Sequence, residues 1–411
     1  MKFLEHKLGN GLEIVAECNP DAHSTALGFF VNTGARDETD EVAGVSHFLE
    51  HMMFKGTPTR TAEDVNREFD ELGAHYNAYT SEENTVYYAA VLPEYLDPAV
   101  ALLADMLRPS LRKEDFDTEK QVIIEEIRMY QDQPPYGADD RLKVLFFGDH
   151  PLARSVLGTV DTIDALRVEQ MHDYFRQRYS PGNITVVGAG KIDFDQLVRQ
   201  VQNCCGQWQP VETSRDVPAA VPHPGFECVR QESSAQEYTM QLAAGPSGTD
   251  HDRFPAKILA TVLGDDSGSR LFWELIDPGL AESASLGHHD YHGAGAFMTF
   301  LSCDPELAQD NLARIRDLYQ KVEEHGITQA ELNQAKNKIN SRVVLGSEKP
   351  RGRLFNIGGN WLQRREYRSV KTDLDAVEAV TLEQVAAVLK KYPLTRSTTI
   401  CVGPVSGLKA P

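Results

Sequence analysis

Apolar residues recur along this chain with two periods. Gly11-Leu12-Glu13-Ile14-Val15-Ala16, Leu27-Gly28-Phe29-Phe30-Val31 and Val86-Tyr87-Tyr88-Ala89-Ala90-Val91-Leu92 are short runs rich in β-branched and aromatic residues and read as strands. Leu96, Ala99, Leu102, Leu103, Met106 and Leu107 instead recur at helical spacing, and Val122, Ile123 and Ile127 place a partly buried stripe on a helix through 116–127. Strand runs mixed with amphipathic helices in both halves predict an α+β fold, each half a mostly antiparallel sheet backed by helices.

The pattern also repeats. Val168-Glu169-Gln170-Met171, Tyr179 and Thr185-Val186-Val187-Gly188 return about 214 residues later as Leu382-Glu383-Gln384-Val385, Tyr392 and Thr399-Ile400-Cys401-Val402-Gly403. Ile327 to Leu332 likewise parallels Phe116 to Glu119. The expected organisation is two homologous domains, 1–210 and 226–411, joined by a Pro-rich polar linker at 211–225.

Length and composition agree with two soluble domains: 411 residues, 41% hydrophobic and 25% charged. The formal charge of −20 argues against a nucleic-acid partner and is compatible with attraction of basic peptides. No apolar run is long enough to span a membrane, and the amino terminus reads as neither a secretory signal nor a transit peptide, so a cytoplasmic location is expected. The six cysteines form no C-x-x-C pair and read as reduced thiols.

The chemistry concentrates at His47-Phe48-Leu49-Glu50-His51. On a helix these three polar side chains fall within an arc of about 100°. Imidazoles at i and i+4 can bind one Zn²⁺, and a carboxylate beside them can take a proton from water activated there. The order H-x-x-E-H is the inverzincin pattern. Gly44 before the segment, and Gly56 and Pro58 after it, suit the ends of a helix. A catalytic zinc normally takes a third protein ligand, and the downstream candidate is Glu126. Glu119 lies two turns earlier on the same face, so one of the two can ligate while the other accepts a hydrogen bond from a ligating histidine.

Gly44-Val45-Ser46 leading into His47 to Thr57, the Glu-rich helix about 75 residues on, Gly73 to Thr80, and Tyr179-Ser180-Pro181-Gly182-Asn183 together resemble the pitrilysin/insulysin family of inverzincins. The likeness is strongest to the branch of roughly 400 residues that includes mitochondrial processing peptidase, and it spans the whole chain. It implies a zinc metalloendopeptidase forming half of a clamshell chamber, with one Zn²⁺ held by His47, His51 and Glu126. It further implies Glu50 as general base and Glu119 as the carboxylate behind a ligating histidine, with neighbouring Glu125 the alternative register. Asn77, Ala78, Tyr79 and Thr80 match the strand that pairs with an extended substrate.

The second half departs from that chemistry. Lys338 stands at the counterpart of Glu126, and Ile258 to Leu263 carries no histidine. The family's Arg and Tyr, which follow a Ser-Arg-Leu-Phe segment and stabilise the oxyanion, correspond here to Ile276 and Glu282, although Ser269-Arg270-Leu271-Phe272 is intact. Peptides are the expected substrates, with a related chain carrying the Arg/Tyr pair as partner in a heterodimer, or else a homodimer. In the competing reading a substitute donor comes from Tyr291, His288 or His292, and His288, Asp290 and His292 would share one face of a strand. The alternative function is a non-catalytic structural or assembly subunit of the same fold.

Overall fold

The computed structural model describes residues 1–133, 135 and 137–410. The chain divides into two compact units, one of Met1–Arg128, Arg154–Asp216 and Leu345–Arg368, the other of Met129–Ala153, Val217–Val344 and Ser369–Pro411. The change of unit at Asp216/Val217 falls inside the expected linker. The units are nevertheless not the two sequence halves, because each takes one segment from the other half.

Unit 1 is built on six strands: β1 (Lys2–Lys7), β2 (Glu13–Cys18), β3 (Thr25–Val31), β4 (His75–Thr80), β5 (Thr85–Val91) and β6 (Ile184–Gly190). Their order is β1-β2-β6-β3-β5-β4, antiparallel except for the β2–β6 pair. Unit 2 has β7 (Gly225–Arg230), β8 (Glu237–Ala244), β9 (Ser283–Tyr291), β10 (Ala294–Cys303) and β11 (Ser397–Gly403), in the order β7-β11-β8-β10-β9. This repeats the β2-β6-β3-β5-β4 order strand for strand, with β7–β11 as its parallel pair. Helices Val168–Arg178 and Leu382–Lys391, which carry the sequence repeat, precede the equivalent strands β6 and β11.

Alternation along β3 explains how its sheet is covered on both faces. Leu27, Phe29 and Val31 enter the main core with Phe48, Leu49 and Met52, whereas Ala26 and Phe30 point the other way. That outer face, with Val15, Val86, Tyr88 and Val187, is covered by Leu354 and Ile357 of the Pro350–Arg364 helix. Glu17 on β2 anchors this helix through Arg353 Nε and Nη2 at 2.9 and 2.7 Å, and also accepts from the Tyr367 hydroxyl at 2.6 Å. In unit 2 the Ala138–Phe147 helix does the same, placing Ala138, Leu142, Phe146 and Phe147 against Met240, Leu242, Ala296, Ile400 and Val402. Each half of the sequence thus lends one helix to the unit built around the other half's sheet.

Candidate metal centre and its surroundings

The site helix is Val45–Met53. It starts where it does for two reasons. Gly44 has φ 92°, and a Cβ there would meet the Leu157 carbonyl oxygen at 2.5 Å. The buried Glu38 carboxylate accepts from the backbone N–H groups of Gly44 and Ser46, both at 2.7 Å, meeting unpaired donors of the first turn. Phe48, Leu49, Met52 and Met53 bury one face in the core and leave His47, Glu50 and His51 on the adjoining one.

The long helix Lys113–Asp132 brings Glu119 and Glu126 to this face. Glu126 Oε1 stands 3.9 Å from His47 Nε2, and its Oε2 stands 3.7 Å from His51 Nε2. Among the described residues, His47, His51 and Glu126 form the group of three metal-binding side chains whose ligand atoms converge, all within 4.8 Å of one another. These separations are too long for hydrogen bonds and slightly wider than the roughly 3.3–3.6 Å between ligands around a tetrahedral zinc. Two imidazoles and one carboxylate are also a known donor set for catalytic zinc. The residues fit the ion. Glu125 is exposed and pairs with Arg128 at 2.5 Å, facing away from the group.

The electrostatics prepare the ligands unequally. Burial, reinforced by the nearby His51, drives His47 down to about 3, so its ring is neutral. For His51 burial pulls the same way, but the hydrogen bond to Glu119 and the charges of Glu126, Glu119 and Glu50 outweigh it and raise its pKa. His51 Nδ1 lies 2.8 Å from Glu119 Oε1, which fixes Nδ1 as the protonated nitrogen and turns Nε2 toward Glu126. Glu119, itself buried, stays ionised below the usual range because His51 and Lys55 overcome its burial; the Lys55 Nζ–Oε2 distance is 2.6 Å. Burial raises Glu126 and Glu50. Glu50 Oε2 accepts from Thr80 Oγ1 at 2.6 Å.

Asn77, Ala78, Tyr79 and Thr80 lie on β4, which among the described residues is an edge strand paired with β5 alone. Asn77 and Tyr79 are exposed, Ala78 is buried, and Thr80 is half-buried with its hydroxyl on Glu50. That contact, the Lys55–Glu119 pair and the Glu38 cap are not expected from the sequence motif. Lys55 was findable, being four residues after His51.

Residues 13–160 match the insulinase family, peptidase family M16, and residues 165–339 match the peptidase M16 inactive domain. The chain belongs to family M16. Among its relatives, the "uncharacterized zinc protease" of Mycobacterium tuberculosis is 33% identical over 97% of this chain and 92% of its own length. The Bacillus subtilis "uncharacterized zinc protease YmxG" is 32% identical over 92% of each. Similar folds occur in a Helicobacter pylori protease (TM-score 0.90, 21% identity, 98% of this chain and 99% of that one) and an M16-like peptidase of Alicyclobacillus acidocaldarius (TM-score 0.84, 24% identity, 98% of each).

In the second unit of this M16 chain the corresponding position is an ion-pair cluster. Lys338 bonds Asp265 at 2.7 Å, and Arg270 grips Glu331 at 2.7 and 2.9 Å. Ile276 ends the Phe272–Ile276 turn and packs on the unit's core, while the exposed Glu282 accepts from Gln236. Neither offers a donor. His288 binds the Pro246 carbonyl at 2.9 Å, and burial lowers it to about 4. Strand β9 ends at Tyr291, so His292 lies in the following turn and does not continue the face of His288 and Asp290. Among the described residues no helix is long and apolar enough to cross a membrane.

Proposed function

We propose that this chain is the zinc-bearing subunit of an M16 endopeptidase that hydrolyses peptides or unfolded protein segments, with one Zn²⁺ at His47, His51 and Glu126. The observation that carries this reading is the convergence of those three ligand groups with Glu50 on the same helix face. When bound, zinc supplies Lewis-acid polarisation of the scissile carbonyl and acidifies water. Glu50 takes the proton of the attacking water and passes it to the leaving amine; its raised pKa suits both acts. His51 is held by Glu119, and Glu119 by Lys55. The open edge of β4 accepts an extended peptide by backbone pairing, with Asn77, Ala78 and Tyr79 beside it.

Ile276 and Glu282 favour a further element: a related chain supplies the Arg/Tyr pair and completes the chamber. The experiment assays the zinc-loaded chain on unstructured peptides, alone and with an M16 chain carrying that pair. Turnover should rise by about 10² to 10³ on mixing, the usual worth of an oxyanion donor. Full activity alone would refute the partner. Zinc binding without cleavage in any assembly would establish the alternative, a non-catalytic subunit.

A further inference from the structure

We propose that Thr80 is the positioning residue of Glu50, and that it ties the orientation of the base to the edge strand on which a peptide would be laid. This rests on the peptidase reading above.

The proton count around Thr80 leaves one arrangement. Thr80 and Thr85 are partners across the β4–β5 ladder, with hydroxyl oxygens 3.5 Å apart. Each hydroxyl has a single proton to give. Thr85 Oγ1 lies 3.0 Å from the Thr33 carbonyl oxygen and also meets the Tyr179 hydroxyl, so its proton has acceptors other than Thr80. Thr80 Oγ1 lies 2.6 Å from Glu50 Oε2, and an ionised carboxylate also only accepts. Thr80 therefore donates to Glu50, and among the described residues it is the one group that does. The bond takes one lone pair of Oε2, while among the described residues Oε1 accepts no hydrogen bond and is open to the proton of the attacking water.

The position of Thr80 in the sheet gives this bond its second meaning. It is the last residue of β4, a strand paired on one side only. A peptide added along the free side would fix β4 from both sides, and with it the hydroxyl that orients Glu50. Alignment of the scissile segment and alignment of the base then share one strand, so a mispaired peptide meets a less ordered base.

The test uses the active assembly and the variants Thr80→Val and Thr80→Ser. A hydrogen bond to a charged group is worth about 1.5–3 kcal/mol, which is roughly 10- to 100-fold in rate. Thr80→Val should lower kcat by that factor, leave KM within about twofold and leave zinc stoichiometry intact, while Thr80→Ser restores kcat to within a few-fold. An unchanged kcat in Thr80→Val, or a Ser variant no better than Val, overturns the proposal. A second arm needs no activity: thermal unfolding of Thr80→Val, Glu50→Ala and the double variant. The paired side chains predict a double variant less destabilised than the sum, and additive losses overturn the pairing. An inactive wild-type assembly refutes the peptidase reading, and the unfolding cycle then decides the Thr80–Glu50 pair by itself.

Discussion

Two adjacent glycines in the Pro350–Arg364 helix should respond in opposite directions to the same substitution. A Cβ on Gly358 would lie 2.2 Å from Phe30 Cε1, 2.5 Å from Cζ and 2.6 Å from Cδ1, where carbon–carbon contact needs about 3.5–4.0 Å. The ring cannot retreat freely, because it is buried and its opposite edge already fills the space beside Gly28, where a Cβ would meet Phe30 at 2.8 Å. Overpacking of this kind costs about 1–3 kcal/mol, and the alanine helix preference returns up to about 1 kcal/mol. Gly358→Ala is therefore a net loss of about 1–2 kcal/mol. Gly359 has nothing within 4 Å of its would-be Cβ, so Gly359→Ala gains about 0.5–1 kcal/mol. The two variants should differ by about 1.5–3 kcal/mol, or roughly 3–12 °C in Tm if unit 1 unfolds as one cooperative block. Calorimetry and urea unfolding measure the split. Equal stabilities, or a stabilised Gly358→Ala, would show that this helix does not seat on Phe30 as described.

At the metal centre, Glu126→Gln should lose zinc affinity in a chelator competition while Glu125→Gln keeps it, with Glu119→Gln about 10- to 100-fold weaker than wild type; exchanged behaviour of 125 and 126 would place the ligand one residue away. Zinc affinity should fall as pH drops, because ligation needs His51 without its Nε2 proton and Glu126 ionised, and both pKa values are raised. His47, neutral down to about 3, contributes no competing proton above that value, so at most two protons, those of His51 and Glu126, should be displaced per zinc; a three-proton slope above about pH 4 would refute this assignment. Glu50→Gln should retain stoichiometric zinc and lose about 10²- to 10⁴-fold in peptidase rate, and a loss under about tenfold would remove Glu50 from the role of base.

What the sequence revealed follows from the range of the interactions concerned. His47, Glu50 and His51 were legible because helical periodicity alone puts them on one face, and Glu119 with Glu126 for the same reason. The strand order was half legible: the repeat announced two like units, but no local pattern states that β4 lies at an edge. The Thr80 contact with Glu50 joins residues 30 apart through that topology, and the cap from Glu38 joins a loop to a helix by a turn no propensity encodes. The helices at Ala138–Phe147 and Pro350–Arg364 carried apolar faces without an address, so a division at 211–225 was the natural reading, and only packing shows which sheet each covers.

That exchange imposes an order on synthesis. The last strand of the first sheet, β6, is complete at Gly190, yet Leu354 and Ile357, which cover its outer face, are translated more than 150 residues later. At about 5–20 residues per second the nascent sheet would wait roughly 10–30 s with Val15, Phe30, Val86, Tyr88 and Val187 uncovered. The second sheet meets the opposite situation, since its covering helix emerges before any of its strands. A ribosome that stalls within the second half would therefore release a first unit that has its metal ligands but a bare apolar face, a substrate for chaperones. The chain cannot be divided at its midpoint without leaving both sheets open, since each half would lose the helix that the other supplies.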